Sequence, residues 1–247
     1  MSQGRDTLAL TTTYNTDPDH GGERPDPLTE QHLFEPERLD PSLQVHRVRP
    51  DDELWDPAEQ FVYSVFRTSG FCKESPRGWV EETQPWRDDS TLHVVTEADG
   101  RVMGVCRTIL GHYDELPVSQ FRPQIPVQPG VLCEIGSLAV RPSQRGLGVA
   151  NELHRVAFQF GITSGAKGFC FLIDRWMFEF FATHYGLPVR QLAPSRQFMG
   201  GDVVPTAMWM PEMLEQIAVI RPRVYSWSVE GLSPQLRAEL DLPIVLD

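Results

Sequence analysis

Alternating and helically spaced apolar positions divide the first half of this 247-residue chain into short elements. Residues 43–49 alternate between polar and apolar side chains and predict a strand, whereas residues 57–71 have the apolar spacing of a helix. Residues 90–111 alternate again on both sides of a turn at Asp99-Gly100 and predict a hairpin. The polar stretch between them, residues 72–90, predicts a loop or a short helix.

The second half of the chain predicts a layered fold. A nearly continuous apolar strand at residues 131–140 contains Gly136 and Ser137, and a glycine inside a strand often marks a β-bulge. The next predicted elements are a Gly-rich turn that opens a helix (residues 141–166), a buried strand (168–173), a second helix (175–186), two strands (189–198 and 203–210) and a third helix (211–220). A short strand and a helix are expected in the remainder of the chain. This order predicts an α/β (α+β) domain in which helices cover both faces of a mixed sheet.

Composition separates the two ends of the chain from its middle. Residues 1–42 are rich in Pro, Asp, Gly and Thr without periodicity, which is typical of a disordered or loosely packed extension. We expect one folded domain at residues 43–220 and a C-terminal extension at residues 221–247 that packs on it. There is no apolar run of ~18 residues, no signal-peptide pattern and no CxxC spacing, so the sequence predicts a cytoplasmic protein without a membrane span.

The distribution of charge narrows the class of ligand. The chain has 34 acidic and 22 basic residues, for a net charge of −12, which argues against a nucleic-acid or anionic-membrane binder. Residues 101–200 reverse the balance, with 6 acidic and 10 basic residues. This middle region is therefore suited to an anionic ligand, although a solvated surface would show the same excess.

A strand, a Gly-rich turn and a helix follow one another around residues 145–150, Arg-Gly-Leu-Gly-Val-Ala. The free backbone amides at the start of a helix form an anion site together with the helix dipole. Gly146 and Gly148 remove side chains that would keep a pyrophosphate away, although close packing of helix on strand also favours glycines. The turn lacks the third glycine of the dinucleotide fingerprint and the GK[ST] of a P-loop.

The pattern R-x-x-G-x-A, in which Arg145, Gly148 and Ala150 follow a bulged strand, resembles the acyl-CoA signature of the GNAT superfamily of N-acyltransferases. The resemblance covers about residues 43–211 and implies a mostly antiparallel, twisted sheet with a bulged and splayed central strand. It also implies a CoA thioester or a phosphopantetheine-linked acyl donor. Since His112, His154 and His184 lack metal-ligand spacing, no metal is expected. The residues that the resemblance assigns to the donor are Leu138, Ala139 and Val140 for the pantetheine arm, and Arg145, Gly146, Leu147, Gly148, Val149 and Ala150 for the pyrophosphate.

Three longer segments are similar to acyl-homoserine lactone synthases and long-chain N-acyl amino acid synthases. They are the hairpin DDSTLHVVTEADGRVMGVCRTI, the strand CEIGSLAV and the segment THYGLPVRQLAPSRQF. This branch takes acyl groups mainly from acyl carrier protein and sometimes from CoA, so carrier protein is a possible partner. Ser137 stands where lactone synthases typically have Arg, and this difference argues against homoserine lactone as the product. It does not affect the prediction that the donor is an acyl thioester.

The proposed chemistry needs a proton acceptor, because an amine with a pKa of ~10 is about one part in a thousand neutral at pH 7. Glu134, an acid in an apolar strand, is the candidate general base; the alternative is a carboxylate that only satisfies buried backbone or an arginine. The resemblance places the usual acid, a Tyr, near Phe181, and Tyr185 one turn later is a weak substitute. A thiol leaving group, with a pKa of ~8.5, barely needs an acid.

The acceptor side of the site is expected to involve Arg107, which matches an arginine near the acceptor in lactone synthases; the alternative is an edge arginine in a surface ion pair. Trp79 and Trp86 are candidates for a pocket wall, or for a lid on the core. His154 is interpreted as a surface or packing residue. These residues favour acyl transfer to an amine of a small molecule, amino acid or peptide. A non-catalytic acyl-thioester-binding module and a lactone-type signal synthase are the alternatives.

Overall fold

A computed structural model describes residues 37–141, 147–183 and 186–242. The strands of these residues are β1 Gln44–Val48, β2 Ser90–Thr96, β3 Val102–Gly111, β4 Leu132–Val140, β5 Gly168–Asp174, β6 Arg190–Gln191, β7 Arg196–Phe198 and β8 Gly201–Trp209. They form one eight-stranded sheet in the order β1-β2-β3-β4-β5-β8-β6, with β7 also paired to β8. The ladder between β4 and β5 is parallel and the others are antiparallel.

The helices of the described residues agree in order with the apolar spacing of the sequence. They are α1 Trp55–Ser69, α2 Val149–Thr163, α3 Arg175–Thr183, α4 Met210–Ile220, α5 Pro222–Ser228 and α6 Pro234–Glu239, with short 3₁₀ turns at Glu81–Trp86, Tyr113–Glu115 and Pro117–Gln120. The described residues from 221 to 242 contain no strand, and the remainder of the segment in which one was expected, residues 243–247, lies outside the described residues. Pro222 and Pro234 instead start helices, because proline fits the first turn, where its missing amide costs nothing.

Alternation along the strands gives the sheet two different faces. On one, here called the α2 face, Cys133, Phe169 and Phe171 pack with α2, α3, α4 and α5 in a single core cluster. On the other, the α1 face, Val105 and Ala139 pack with α1. Because side chains alternate with a period of two, Glu134 and its β5 neighbour Cys170 both point to the α1 face.

The centre of the sheet is bulged and then opens. Between the pairs Arg107–Gly136 and Val105–Ala139, β4 has one more residue than β3, and Ser137 takes a positive φ of 46°. The ladder between β4 and β5 consists of Cys133–Phe169 and Glu134–Cys170, so the two strands diverge beyond Glu134. The bulge predicted at Gly136-Ser137 is confirmed, as is the mixed, mostly antiparallel fold.

None of the described helices is long and apolar enough to cross a membrane.

Candidate active site

A cavity of about 1330 Å³, including its opening to solvent, lies where β4 and β5 diverge. Ile135 to Leu138 of β4 and Phe171 to Asp174 of β5 form its sides. Its lining comes from both faces of the sheet, since Phe158 of α2 and Phe66 of α1 each contribute to it. The divergence of the strands therefore creates a cavity that passes through the sheet.

The wall on the α2 face is apolar apart from one residue. It is formed by Ile135, Leu138, Phe158, Phe171, Ile173, Met177 and Phe181, together with His154. A second, much smaller cavity adjoins this wall and shares His154, Phe158 and Phe181 with it. Its volume is about 470 Å³ including open solvent, of which only about 20 Å³ can hold the centre of a water molecule. His154, interpreted from sequence as a surface or packing residue, therefore lies in a cavity wall.

The wall on the α1 face holds the charged groups, and Glu134 is one of the two that are buried. Its side chain is 4% exposed, and its Oε2 accepts a hydrogen bond of 2.8 Å from the backbone amide of Val118. Burial raises the pKa of Glu134 to about 8, although the Val118 amide acts in the opposite direction. Glu134 is thus a carboxyl group with a pKa near neutrality in a cavity, the property expected of an acid–base residue, and it also satisfies a buried amide.

Arg107 lies on the same face and lines the same cavity. The alternative of a surface ion pair at a sheet edge is wrong, because Arg107 is 2% exposed on an interior strand and pairs with buried Glu59 of α1. Its Nη1 also donates to Ser90 Oγ at 2.9 Å, whereas its buried Nε has no partner among the described residues. Desolvation lowers the pKa of Arg107, opposed by Glu59.

The two tryptophans have different positions. Trp86 lines the cavity and is anchored by a 2.7 Å hydrogen bond from its Nε1 to the carbonyl of Glu115. Trp79 is absent from the cavity lining and lies within 6 Å of the guanidinium groups of Arg77 and Arg87.

The predicted anion turn is described from Leu147 onward, and Arg145, Gly146 and Tyr185 lie outside the described residues. Gly148 caps α2 with a left-handed φ of 69°. A Cβ at Gly148 would lie 2.2 Å from the carbonyl oxygen of Arg38, and Asp40 donates a 3.0 Å backbone hydrogen bond to Leu147. Glycine is thus required at position 148 because the backbone of Arg38 packs against it. The helix itself leaves the first backbone amides of α2, at Val149 and Ala150, without intrahelical partners.

The pantetheine-pairing segment predicted from sequence lies at the opening of the sheet. Leu138 lines the cavity, while Ala139 and Val140 pair with Val105 and Gly104 of β3 on their other side. The structure therefore brings Leu138, Glu134, Arg107 and Trp86 to one cavity and leaves Trp79 outside it.

Sequence reasoning missed several residues of this cavity. Glu82 and Asp174 add carboxyl groups to the α1-face wall. Glu59 of α1 forms a buried salt bridge with Arg107. Burial raises the pKa of Asp174. Their sequence context carries no signal, since Glu82 follows another Glu in a polar stretch and Asp174 ends an apolar strand.

Chemically, the cavity joins an apolar wall on one face to a polar wall on the other. On the polar side, three carboxyl groups (Glu82, Glu134, Asp174) and one arginine line the space. This side suits a cationic or amine-bearing molecule, and the apolar side suits a hydrocarbon chain. The gap in the sheet joins the polar and the apolar side beside Glu134.

Comparisons with known proteins give a family and a fold. The family model for the N-acyl amino acid synthase FeeM matches residues 57–205. No curated protein matches the sequence significantly.

Three solved structures are similar in fold. The CoA-dependent acyl-homoserine lactone synthase BjaI, solved with SAM and isopentyl-CoA, is 14% identical with a TM-score of 0.55, covering 83% of this chain and 92% of that one. FeeM, an N-acyl amino acid synthase from uncultured soil microbes, is 12% identical with a TM-score of 0.53, covering 70% and 94%. The CoA-dependent acyl-homoserine lactone synthase MesI is 15% identical with a TM-score of 0.55, covering 74% and 95%. These likenesses confirm the fold.

Proposed function

This chain belongs to the N-acyl amino acid synthase FeeM family, and we propose that it transfers an acyl group from a thioester to the amine of an amino acid or another small molecule. The family match confirms the resemblance to this branch and identifies the chain as an N-acyltransferase. The acyl donor in the proposal is CoA or the phosphopantetheine of an acyl carrier protein.

The observation that carries the proposal is the cavity that passes between β4 and β5. Its α2-face wall is apolar and suits an acyl chain, whereas its α1-face wall carries Glu134 and Arg107 and suits an amine. An acyl thioester placed in the gap has its carbonyl within the sheet, with its tail on one side and the amine on the other. Such placement replaces a bimolecular encounter by a fixed approach, which lowers the barrier.

Glu134 is the proposed general base, acting directly or through a water molecule. The amine enters as an ammonium ion and loses a proton to the Glu134 carboxylate, and its nitrogen lone pair then attacks the thioester carbonyl carbon. A carboxyl with a pKa of about 8 is closer to the pKa of the amine than an ordinary one, which makes the proton transfer less unfavourable. The tetrahedral intermediate collapses by breaking the C–S bond, and the sulfur leaves as a thiolate. The nitrogen loses its second excess proton, which ends on the thiolate, and the proton on Glu134 passes to solvent, so the products are an amide, a thiol and one proton.

Backbone groups are proposed to stabilise the charges that form. The amide of Leu138 or Val140, beside the bulge, is the proposed donor to the oxyanion of the tetrahedral intermediate. Tyr185 remains the candidate that returns a proton to the thiolate. The leaving thiol has a pKa near ~8.5, so little catalysis is needed at this step.

Donor and acceptor contacts complete the proposal. The donor's phosphate is assigned to the turn from Arg145 to Ala150, where the free amides of α2 and the helix dipole favour an anion. Its pantetheine arm is assigned to the backbone of Leu138, Ala139 and Val140. Arg107, which lines the cavity, is proposed to bind the acceptor's carboxylate or carbonyl, with Trp86 as a wall.

The experiment is acyl transfer from C2 to C16 acyl-CoAs and acyl carrier proteins to a set of amino acids and amines, followed by mass spectrometry of the products. We expect an amide product whose formation is lost in Glu134→Gln, while the variant still binds the donor. Glu53→Gln, at an exposed glutamate, is the matched control. Donor binding without any amide product, in both wild type and variant, would indicate a non-catalytic module instead.

A further inference from the structure

His154 is the one polar side chain in the apolar wall of the main cavity, and it also lines the smaller cavity beyond that wall. The two cavities meet at His154, Phe158 and Phe181. The smaller cavity continues past Ile162 to Met213 and Val224, so its far end is closed by α4 and α5. A chain that passed from one cavity to the other would run along the imidazole.

The surroundings of His154 leave its hydrogen-bonding groups unused. Its ring makes an edge contact with Phe181, at 6.2 Å between centroids, and the described residues give it no hydrogen-bond partner. Burial lowers the pKa of His154 to about 4, so the ring is neutral at pH 7. A neutral imidazole has one N–H donor and one acceptor nitrogen, and a hydrocarbon chain that displaced water from this wall would leave both unpaired at a cost in free energy.

The position of His154 along α2 indicates which part of a ligand it meets. It lies six residues after Gly148, about 9 Å along the helix at 1.5 Å per residue. Ser137 and Leu138 of the bulge line the same cavity, and Phe158 and Ile162 follow one and two turns further along α2. If the thioester lies at the bulge, the carbon atoms next to it pass His154 and the more distant ones pass Phe158, which lines the same cavity.

We propose that His154 hydrogen-bonds to an oxygen substituent on the acyl chain, so that the enzyme prefers acyl groups with a hydroxyl or keto group close to the thioester. This inference rests on the proposed function. A plain hydrocarbon leaves the imidazole unpaired, whereas a hydroxyl or keto oxygen satisfies it without disturbing the apolar contacts of the remaining chain. His154 is in this sense a specificity-determining residue, because an apolar side chain of similar size would line the wall equally well for an unsubstituted chain.

The test uses acyl-pantetheine thioesters, the part common to both donors, as pairs of equal length that are unsubstituted, 3-hydroxy or 3-oxo. Their dissociation constants are measured by calorimetry for the wild type, His154→Leu and His154→Gln, with turnover measured in parallel. We expect the wild type to bind an oxygenated thioester about tenfold more tightly, the effect of one hydrogen bond of about 1.4 kcal/mol. His154→Leu should lose this ratio and keep its affinity for the unsubstituted chain, and His154→Gln should retain part of it.

Phe158→Leu is the control, since Phe158 lines both cavities but has no polar atom. It should change the affinity of both members of a pair to the same extent. Equal binding of the two thioesters by the wild type, or an equal loss for both in His154→Leu, would overturn the inference. Selective binding of the oxygenated thioester without any turnover would instead support the inference and refute the proposed function.

Discussion

Replacing Glu134 by Gln should change how the stability of the protein depends on pH. In the unfolded chain a glutamate has a pKa of ~4.3, whereas burial raises the pKa of Glu134 to about 8 in the folded protein. The raised folded pKa means that this group favours folding most below about pH 4, where both states are protonated. As the pH rises, the unfolded state loses its proton first, and the folded state becomes less stable until the pH passes about 8.

The size of the effect follows from the two pKa values. Between them, each pH unit changes the free energy of unfolding by about 1.4 kcal/mol, so the group removes about 4 kcal/mol between pH 5 and pH 8. Glutamine stays neutral throughout, and its amide oxygen can still accept the hydrogen bond from Val118. Glu134→Gln should therefore differ least from the wild type at pH 5 and gain stability relative to it increasingly up to pH 8, while losing acyl transfer by ~10²–10⁴-fold.

The assay is urea unfolding of the wild type, Glu134→Gln and Glu53→Gln at four pH values from 5 to 8. Glu53 is exposed, so its variant should track the wild type at every pH. A difference between Glu134→Gln and the wild type that stays constant across this range would refute the argument, because it would mean that Glu134 loses its proton at an ordinary pH in the folded protein.

Two further changes test the supports of the site. Glu59→Gln leaves Arg107 buried without its charged partner and should lower the free energy of unfolding in urea by about 3–5 kcal/mol. The double variant with Glu59→Gln and Arg107→Met should recover part of this loss, because it removes the unpaired charge. An unchanged stability of Glu59→Gln would show that the pair does not stabilise the fold. Gly148→Ala places a Cβ at a positive φ and against the backbone of Arg38, whereas Gly165→Ala has the same φ region but open space around it. In thermal unfolding, Gly148→Ala should therefore lower the free energy of unfolding by about 2 kcal/mol more than Gly165→Ala does. Equal losses would show that the approach of Arg38 does not constrain Gly148.

Local patterns determined the elements and part of the site. Alternation over residues 90–111 predicted the hairpin, because strand pairing across a short turn depends on neighbouring residues alone. Gly136 and Ser137 predicted the position of the bulge, because they interrupt an otherwise apolar strand and glycine is typical of bulges. Glu134 was identifiable for the same reason: a carboxyl in an apolar strand costs free energy and requires a purpose.

Tertiary structure decided which of the candidate residues meet. Arg107 pairs with Glu59, 48 positions away, and His154 reaches a cavity wall only because α2 crosses the opening between β4 and β5. Glu82 and Asp174 join the cavity from elements that show no functional pattern. Spacing within an element records which face a side chain occupies, but the partner on that face is set by packing between distant segments. For that reason the sequence alone predicted the fold and the candidate general base, and only the tertiary structure revealed the side chains and the cavity that surround that candidate.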